Sequence, residues 1–264
     1  MSKTKVAFIL GVTALTSYVF WFFAEPWLDS LTEFREVRLW LLPLVFFILL
    51  AAVLALSFML LPQKRLKLAA SALVAGTYIA VFGFHYLYLM SGLLIVLFHV
   101  FAIRNIHLEI EERLKIHAGL IMKRGVTFLA IPIFIALSFA YFLTPGIQTR
   151  AERVGEEPTL KSIVSNSIST FLSADTEASR ELVQEEVRQY AIERAYDTFT
   201  RILDPYRAYF PPLLAFGLFL LLWGVGFILY PLILWTGMAI YWVLLNAGFV
   251  RIEEVDVKAQ RFVL

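Results

Sequence analysis

Five long runs of the 264-residue chain contain no Asp, Glu, Lys or Arg. A helix that crosses a hydrocarbon core of about 30 Å needs roughly 20 residues, because each residue adds about 1.5 Å. Three of the runs, at 6–24, 39–63 and 125–149, match that length, and each predicts one transmembrane helix. Backbone groups in lipid must be paired within their own segment, so helices are the form expected.

The other two runs, at 68–103 and 208–250, are too long for a single crossing. Each is interpreted as a helical hairpin. The first is expected to turn near 83–86. The second is expected to turn near 229–231, where Pro231 interrupts the backbone hydrogen bonds. The pattern therefore predicts seven spans.

The predicted fold is all-α, a polytopic transmembrane helical bundle with its N-terminus inside and an extracytoplasmic helical hairpin inserted between spans 5 and 6. Residues 1–143 form a five-span domain, 144–210 the extracytoplasmic segment, 211–250 a C-terminal transmembrane hairpin and 251–264 a tail. The first five spans are expected at about 6–24, 39–61, 68–84, 86–103 and 125–143.

Composition supports a membrane protein, because 60% of the residues are hydrophobic and only 17% are charged. A soluble domain usually has about 25% charged residues. The chain has no cysteine, which excludes disulfides, cysteine-ligated metals and cysteine nucleophiles. The first apolar run is not followed by a small-residue cleavage site, so we interpret it as a retained span.

Orientation follows from the excess of Lys and Arg in cytoplasmic segments. The segments 1–5, 62–67 and 104–124 together carry 10 basic and 3 acidic residues. The segments 25–38 and 150–207 carry 10 basic and 15 acidic residues over a greater length. The protein is therefore expected in the inner or plasma membrane with its N-terminus in the cytoplasm.

The tail carries three basic and three acidic residues, so its charge does not choose a side. Seven spans would place it outside. If 208–250 holds one span and a re-entrant piece, the tail is inside. Alternating apolar positions at 250–257 and in the inner segment 104–124 fit a strand or one helical face. Since 104–124 is rich in both charge signs, we favour an amphipathic helix at the inner surface.

The extracytoplasmic segment begins with a turn-rich stretch at 144–158, followed by two amphipathic helices within 159–203. Two such helices cannot bury a self-sufficient core. Their apolar faces are expected to pack on the bundle, on a second copy or on a protein partner. The candidate interaction face is the stripe of Val183, Val187, Ala191, Ala195, Phe199 and Ile202.

No catalytic, cofactor-binding or metal-binding motif stands out, and the largest basic cluster, at 64–67, is too small for a nucleic-acid surface. His85 is expected at the outer turn and His99 near the inner interface, each as a lone histidine. The small residues Ala72, Gly76 and Ala80 recur every four positions, which allows close packing of helices. We interpret them as packing within the bundle.

Three functions are compatible with this pattern. The favoured one is a non-enzymatic scaffold or assembly protein that binds partners through 159–203. The alternative is a transporter or channel for a small or lipophilic substrate, with a path lined by Thr13, Thr16, Ser17, Ser57, Thr77, Tyr78 and Ser91. The third is a lipid-acting enzyme that uses interfacial residues such as His85, Glu25 or Asp29.

Overall fold

The computed structural model of the protein describes residues 2–31, 38–111, 117–153 and 208–250, with four single positions at 190, 194, 198 and 201. These parts of the chain are helical and contain no strand. Six helices are long and apolar enough to cross a bilayer. The prediction of an all-helical, multi-pass membrane protein is confirmed at this level.

Seven helices of the described residues follow one another along the chain. They are α1 (Lys3–Ser30), α2 (Arg38–Leu60), α3 (Lys64–Phe82), α4 (Tyr86–Glu111), α5 (Ala118–Phe142), α6 (Pro145–Arg153) and α7 (Phe210–Asn246). All except α6 have the length of a span. The Ser2 hydroxyl accepts the backbone N–H of Lys5 at 3.3 Å, which caps the first turn of α1.

The predicted turn between the third and fourth spans is confirmed at residues 83–85. Gly83 ends α3 with a φ of 96°, a region that side-chain-bearing residues rarely adopt. Its N–H donates to the carbonyl of Ile79 at 2.8 Å. The glycine therefore lets the chain reverse while the last turn of the helix stays hydrogen-bonded.

The predicted hairpin of 211–250 is wrong, because α7 is one continuous helix of 37 residues. Pro231 lies inside it. Its missing N–H leaves one carbonyl, that of Phe227, without the usual partner. A turn at this point would interrupt several backbone hydrogen bonds of the helix. A proline inside a continuous helix removes fewer backbone hydrogen bonds than a turn would.

The inner segment 104–124 is not a separate surface helix. It consists of the last turns of α4 and the first turns of α5, with residues 112–116 outside the described part. Helical hydrogen bonding continues past the charged residues because they lie at the ends of the spans, where water can solvate them. The strand reading is excluded for 104–111 and for 118–124, and the alternation at 251–257 falls outside the described residues.

The turn-rich interpretation of 144–158 is wrong for its first half, where α6 forms. Pro145 occupies the first helical position, where its missing N–H needs no partner. The carbonyl of Thr144 accepts the N–H of Ile147 at 3.2 Å and so closes the first turn.

The helices pack around α2 and α5. Helix α1 contacts α2 and α3, α4 contacts α3 and α5, and α7 lies against α5 and α2. An aromatic contact links three of them, with the Phe47 ring 5.9 Å from that of Phe20 and 5.1 Å from that of Phe134. The core is therefore formed where α1, α2 and α5 meet.

Both described ends of the chain lie at the same end of the bundle. The Lys5 ammonium donates to the carbonyl of Phe249 at 2.5 Å, and the rings of Phe8 and Phe249 are 5.5 Å apart. We call this the amino-terminal end, and we call the end that carries residues 83–85 the opposite end. Seven spans would have placed the start of the tail opposite the N-terminus, whereas the contact between Lys5 and Phe249 brings the two to the same end.

Candidate functional site

Two pairs of hydroxyl side chains connect α1 to its neighbours inside the bundle. The Thr13 and Ser57 oxygens are 2.8 Å apart between α1 and α2. The Ser17 and Thr77 oxygens are 2.7 Å apart between α1 and α3. Thr13, Ser17 and Ser57 are buried. Each pair places two polar groups where they satisfy one another in an apolar surrounding.

His99 is fully buried between helices. Its Nδ1 lies 2.9 Å from the Ser71 hydroxyl on α3, and its ring meets Phe58 of α2 edge-on, with 5.6 Å between the centroids. The other ring nitrogen, Nε2, finds no hydrogen-bond partner among the residues that the structure describes. Helix α4 continues to Glu111, so His99 lies near the middle of this helix, and its ring contact Phe58 lies in the last turn of α2. The position of His99 near the inner interface stays a prediction.

Tyr78 joins α3 to α5 and lies within an aromatic cluster. Its hydroxyl donates to the carbonyl of Ala136 at 3.2 Å. Its ring centroid is 4.8 Å from that of Trp21 and 5.9 Å from that of Tyr88. Tyr78 and Trp21 are both completely buried. These contacts hold α1, α3 and α4 together near the opposite end of the bundle.

The seven residues of the predicted transport path do not converge on one cavity in the described structure. Thr13, Ser17, Ser57 and Thr77 bond in pairs, and Tyr78 bonds to α5. Thr16 and Ser91 donate to carbonyls one turn back on their own helices, both at 2.8 Å. Their polar groups are therefore satisfied by protein.

Two clefts open between helices, and both are lined almost wholly by apolar side chains. One, of about 200 Å³, lies between α1, α2 and α7 near the amino-terminal end, and the hydroxyl of Ser57 is its polar lining group. The other, of about 100 Å³, lies at the opposite end beside Trp27 and Trp40.

Titratable side chains gather near Tyr88 at the opposite end. The His85 ring centroid lies 5.7 Å from that of Tyr88, and His85 Nδ1 accepts the N–H of Leu87 at 3.3 Å. Glu25 and Asp29 lie close enough for their charges to act on the Tyr88 hydroxyl. Of the three residues suggested for lipid chemistry, His85 contacts Tyr88, whereas Glu25 and Asp29 act on Tyr88 through their charge.

An ion pair closes the amino-terminal side of the α4–α5 hairpin. Arg124 donates to the carboxylate of Glu109, which is buried although it is charged.

In the described parts of the chain, no group of three or more His, Asp or Glu side chains is arranged to hold a metal ion.

The candidate interaction face lies outside the described residues: Val183, Val187, Ala191, Ala195, Phe199 and Ile202. Four residues between them are described as helical and exposed: Tyr190, Arg194, Thr198 and Arg201. They are spaced by three or four positions, so they share one face of a helix.

The small-residue stripe on α3 does not pack within the bundle. Ala72, Gly76 and Ala80 are exposed, and a Cβ built on Gly76 would meet no atom within 4 Å. The close helix packing occurs instead at Gly125 on α5, where a Cβ would lie 2.5 Å from Ile106 Cδ1. The spacing of small residues did not indicate which of them face a neighbour.

Ser71 was missed as the partner of His99, although the hairpin contains a usable signal. In a helical hairpin that turns at residues 84 and 85, residues at equal distances before and after the turn lie side by side. Ser71 precedes Phe84 by 13 positions and His99 follows His85 by 14. The contact of Lys5 with Phe249 had no such signal, because it depends on the number of spans between them.

Comparison with known proteins finds no matching family model, no matching curated protein and no matching solved structure.

Proposed function

We propose that this protein is a non-enzymatic membrane scaffold or assembly protein. Its partners would bind the extracytoplasmic helices of residues 159–203, in particular the stripe that includes Val187 and Phe199. The observation that supports this best is the pairing of polar side chains inside the bundle, as between Thr13 and Ser57 and between Ser71 and His99. Such pairs hold helices together and leave no polar surface facing a path.

The two apolar clefts favour the same conclusion over a transporter of polar solutes. A path for such a solute needs polar groups that face water across the whole bilayer. Apart from Ser57, the side chains that line both clefts offer carbon and aromatic surface. Ser57 is itself hydrogen-bonded to Thr13 and to the carbonyl of Val53.

The exposed residues of the second extracytoplasmic helix are compatible with an amphipathic module. Tyr190, Arg194 and Thr198 are solvent-exposed. Each of these exposed residues is directly followed by a position of the predicted apolar stripe. Successive residues of a helix are rotated by about 100° around its axis, so the stripe would lie on a different face. A helix that binds a partner in this way would have a polar face toward water and an apolar face toward the partner.

The proposed test compares charges on the two faces of that helix. Val187→Asp and Phe199→Asp should each remove the partner or second copy that chemical crosslinking captures in native membranes. Tyr190→Asp and Thr198→Asp are matched controls on the exposed face and should leave the crosslinked complex unchanged. A wild-type protein that stays monomeric, or a complex equally insensitive to all four variants, would reject the proposal.

We further propose an orientation with six spans and both described ends in the cytoplasm. The contact of Lys5 with Phe249 brings residues 2 and 250 to one end, and the basic first turn of α3, at 64–67, follows α2 at that same end. Because cytoplasmic segments are enriched in Lys and Arg, this end is assigned to the inside.

The cysteine-free chain allows a direct test of that orientation. Single cysteines in place of Ser2, Ala247 and Phe84, all exposed, can be treated with a membrane-impermeant maleimide in intact cells. The Phe84→Cys variant should be labelled, while Ser2→Cys and Ala247→Cys should react only after permeabilisation. Labelling of Ala247→Cys in intact cells would contradict the six-span arrangement.

A second candidate function, a lipid-acting enzyme, is supported by the group around Tyr88. A histidine and two carboxylates beside one phenol at the membrane interface could supply general acid–base catalysis. Incubating the protein in nanodiscs with mixed phospholipids and following products by mass spectrometry tests this. Turnover lost in both His85→Ala and Asp29→Asn would support it, and unchanged lipids with wild-type protein would exclude it for those lipids.

A further inference from the structure

The cleft between α1, α2 and α7 is a concave apolar surface of about 200 Å³. We call it the α1–α7 cleft. It contains Phe8 and Val12 from one wall and Ile240 and Leu244 from the other, and Leu56 and Leu60 of α2 form its floor.

The cleft exists because α1 and α7 both pack on α2 but, within the described chain, hardly on one another. Gly237 brings α7 close to its neighbours. A Cβ there would lie 3.0 Å from Met122 Sδ and 3.8 Å from Ala52 Cβ. With α7 held on α2 and α5, its last turns stay apart from the first turns of α1.

Lys5 lies at the edge of the cleft. Its ammonium is 2.5 Å from the carbonyl oxygen of Phe249 and 4.9 Å from the centroid of the Phe249 ring, which is itself part of the lining. An ammonium has three donors, so this carbonyl leaves two available. Lys5 forms no ion pair with a carboxylate of the described residues. A cation that has no ion pair among the described residues therefore stands at the interfacial end of an apolar groove.

We propose that the α1–α7 cleft binds one acyl chain of an anionic phospholipid whose phosphate lies at Lys5. The apolar lining contacts the acyl chain, and the ammonium pairs with the negative charge of the headgroup. Val12, Val53 and Leu56 lie deeper along the helices than Phe8 and Phe249, so the chain runs from the membrane surface inward. This inference does not rest on the scaffold proposal.

The bilayer is the occupant that the surroundings of the cleft favour over a second copy of the chain. Phe8 and Val243 beside it are more than half exposed and apolar, so the cleft opens onto a surface suited to hydrocarbon. A void left unfilled loses dispersion contacts along its walls. A second copy would have no reason to bring an anion to Lys5, whereas an anionic lipid brings a phosphate.

The experiment uses the full chain in phosphatidylcholine nanodiscs that contain phosphatidylglycerol with a photoreactive group in one acyl chain. Peptide mapping after irradiation should show labelling concentrated at residues 8–12, 53–60 and 240–249. Leu97, half exposed on α4 and away from the cleft, is the reference for ordinary lipid contact. Lys5→Gln should reduce the preference for the anionic over the zwitterionic photolipid by about fivefold, the effect of one basic residue near anionic lipid.

Two controls keep the test specific. Lys64→Gln removes an exposed charge at the same end and should leave the preference unchanged. Ile240→Trp fills the cleft and should abolish its labelling, while Leu232→Trp on the same helix should not. If Ile240→Trp does not fold, the Lys5→Gln result alone decides.

Uniform labelling around the bundle would overturn the proposal, because it would show ordinary lipid contact only. Labelling of the cleft that is indifferent to Lys5→Gln would overturn the choice of an anionic lipid. Disulfide formation between copies that carry Val243→Cys, together with absence of lipid label, would assign the cleft to a second copy instead.

Discussion

The first five helices and α7 are held in place by different kinds of contact. Among the described residues, hydroxyl, imidazole and phenol groups bond across α1–α2, α1–α3, α3–α4 and α3–α5. No side chain of α7 makes such a bond to another helix of the described part of the chain. In the most apolar stretch of each helix, 61% of the residues are buried in α2 and in α5, against 28–33% in α1, α3, α4 and α7.

This difference shows two ways of specifying a helix in a bilayer. Lipid chains are as apolar as leucine, so hydrophobicity cannot choose which face of a helix turns inward. In α1 to α5, paired polar groups make that choice. Helix α7 is apolar all round and depends on shape, with Gly226 and Gly237 where it approaches α5 and α2.

Of the variants that test this comparison, Gly125→Val should have the largest effect on stability. The new side chain would overlap Ile106, which is completely buried and cannot move aside freely. We expect the free energy of unfolding to fall by about 3 kcal/mol, as overpacked cores show. Denaturant titration in mixed micelles measures it. Gly76→Val, in open space, is the control, and an equal loss there would contradict the packing argument.

Gly237→Leu should act on α7 alone and have the next largest effect. The side chain would push against Met122, which is flexible, so we expect a loss of about 2 kcal/mol. The contacts of α1 to α5 should persist. A cysteine in place of buried Ile233 should then become reactive to maleimide. Gly224→Leu, where nothing lies within 4 Å, should leave that cysteine protected.

Ser71→Ala should destabilise the protein by about 1 kcal/mol, because it leaves both nitrogens of buried His99 without a side-chain partner. The double variant Ser71→Ala/His99→Leu should recover most of that loss, since removing both polar partners can be nearly neutral. A double-mutant cycle on unfolding free energies measures the coupling. Strictly additive losses would show that the two groups do not interact.

The smallest effect is expected for Thr13→Val, which keeps the shape of the side chain and removes the bond to Ser57. Hydrogen bonds between transmembrane helices contribute about 0.6 kcal/mol on average. Ser57 can still donate to the Val53 carbonyl at 2.8 Å, so no buried donor is left unpaired. A loss larger than that of Ser71→Ala would reverse the ranking of the two contacts.

The sequence was sufficient for what depends on local chemistry. Charge-free runs located the first five long helices, which extend up to eight residues beyond the predicted spans, and Gly83 marked a turn where the backbone adopts a positive φ. The sequence was misleading at Pro231, because a proline ends a helix more often in water than in lipid. It could not place Gly125 against Ile106 or Lys5 against Phe249, since those contacts depend on how distant helices are rotated and ordered.

The unequal lengths of α3 and α7 have a consequence for the membrane itself. Helix α3, with 19 residues, is about 28 Å long, and α7, with 37, is about 55 Å long. Fitting α7 into a core of about 30 Å by tilt alone would need about 57°, beyond the usual range of about 0–40°. The bilayer is therefore expected to be thicker beside α7 than beside α3. Such a wedge-shaped belt would draw longer lipids to one side of the protein and favour its sorting into thicker membranes.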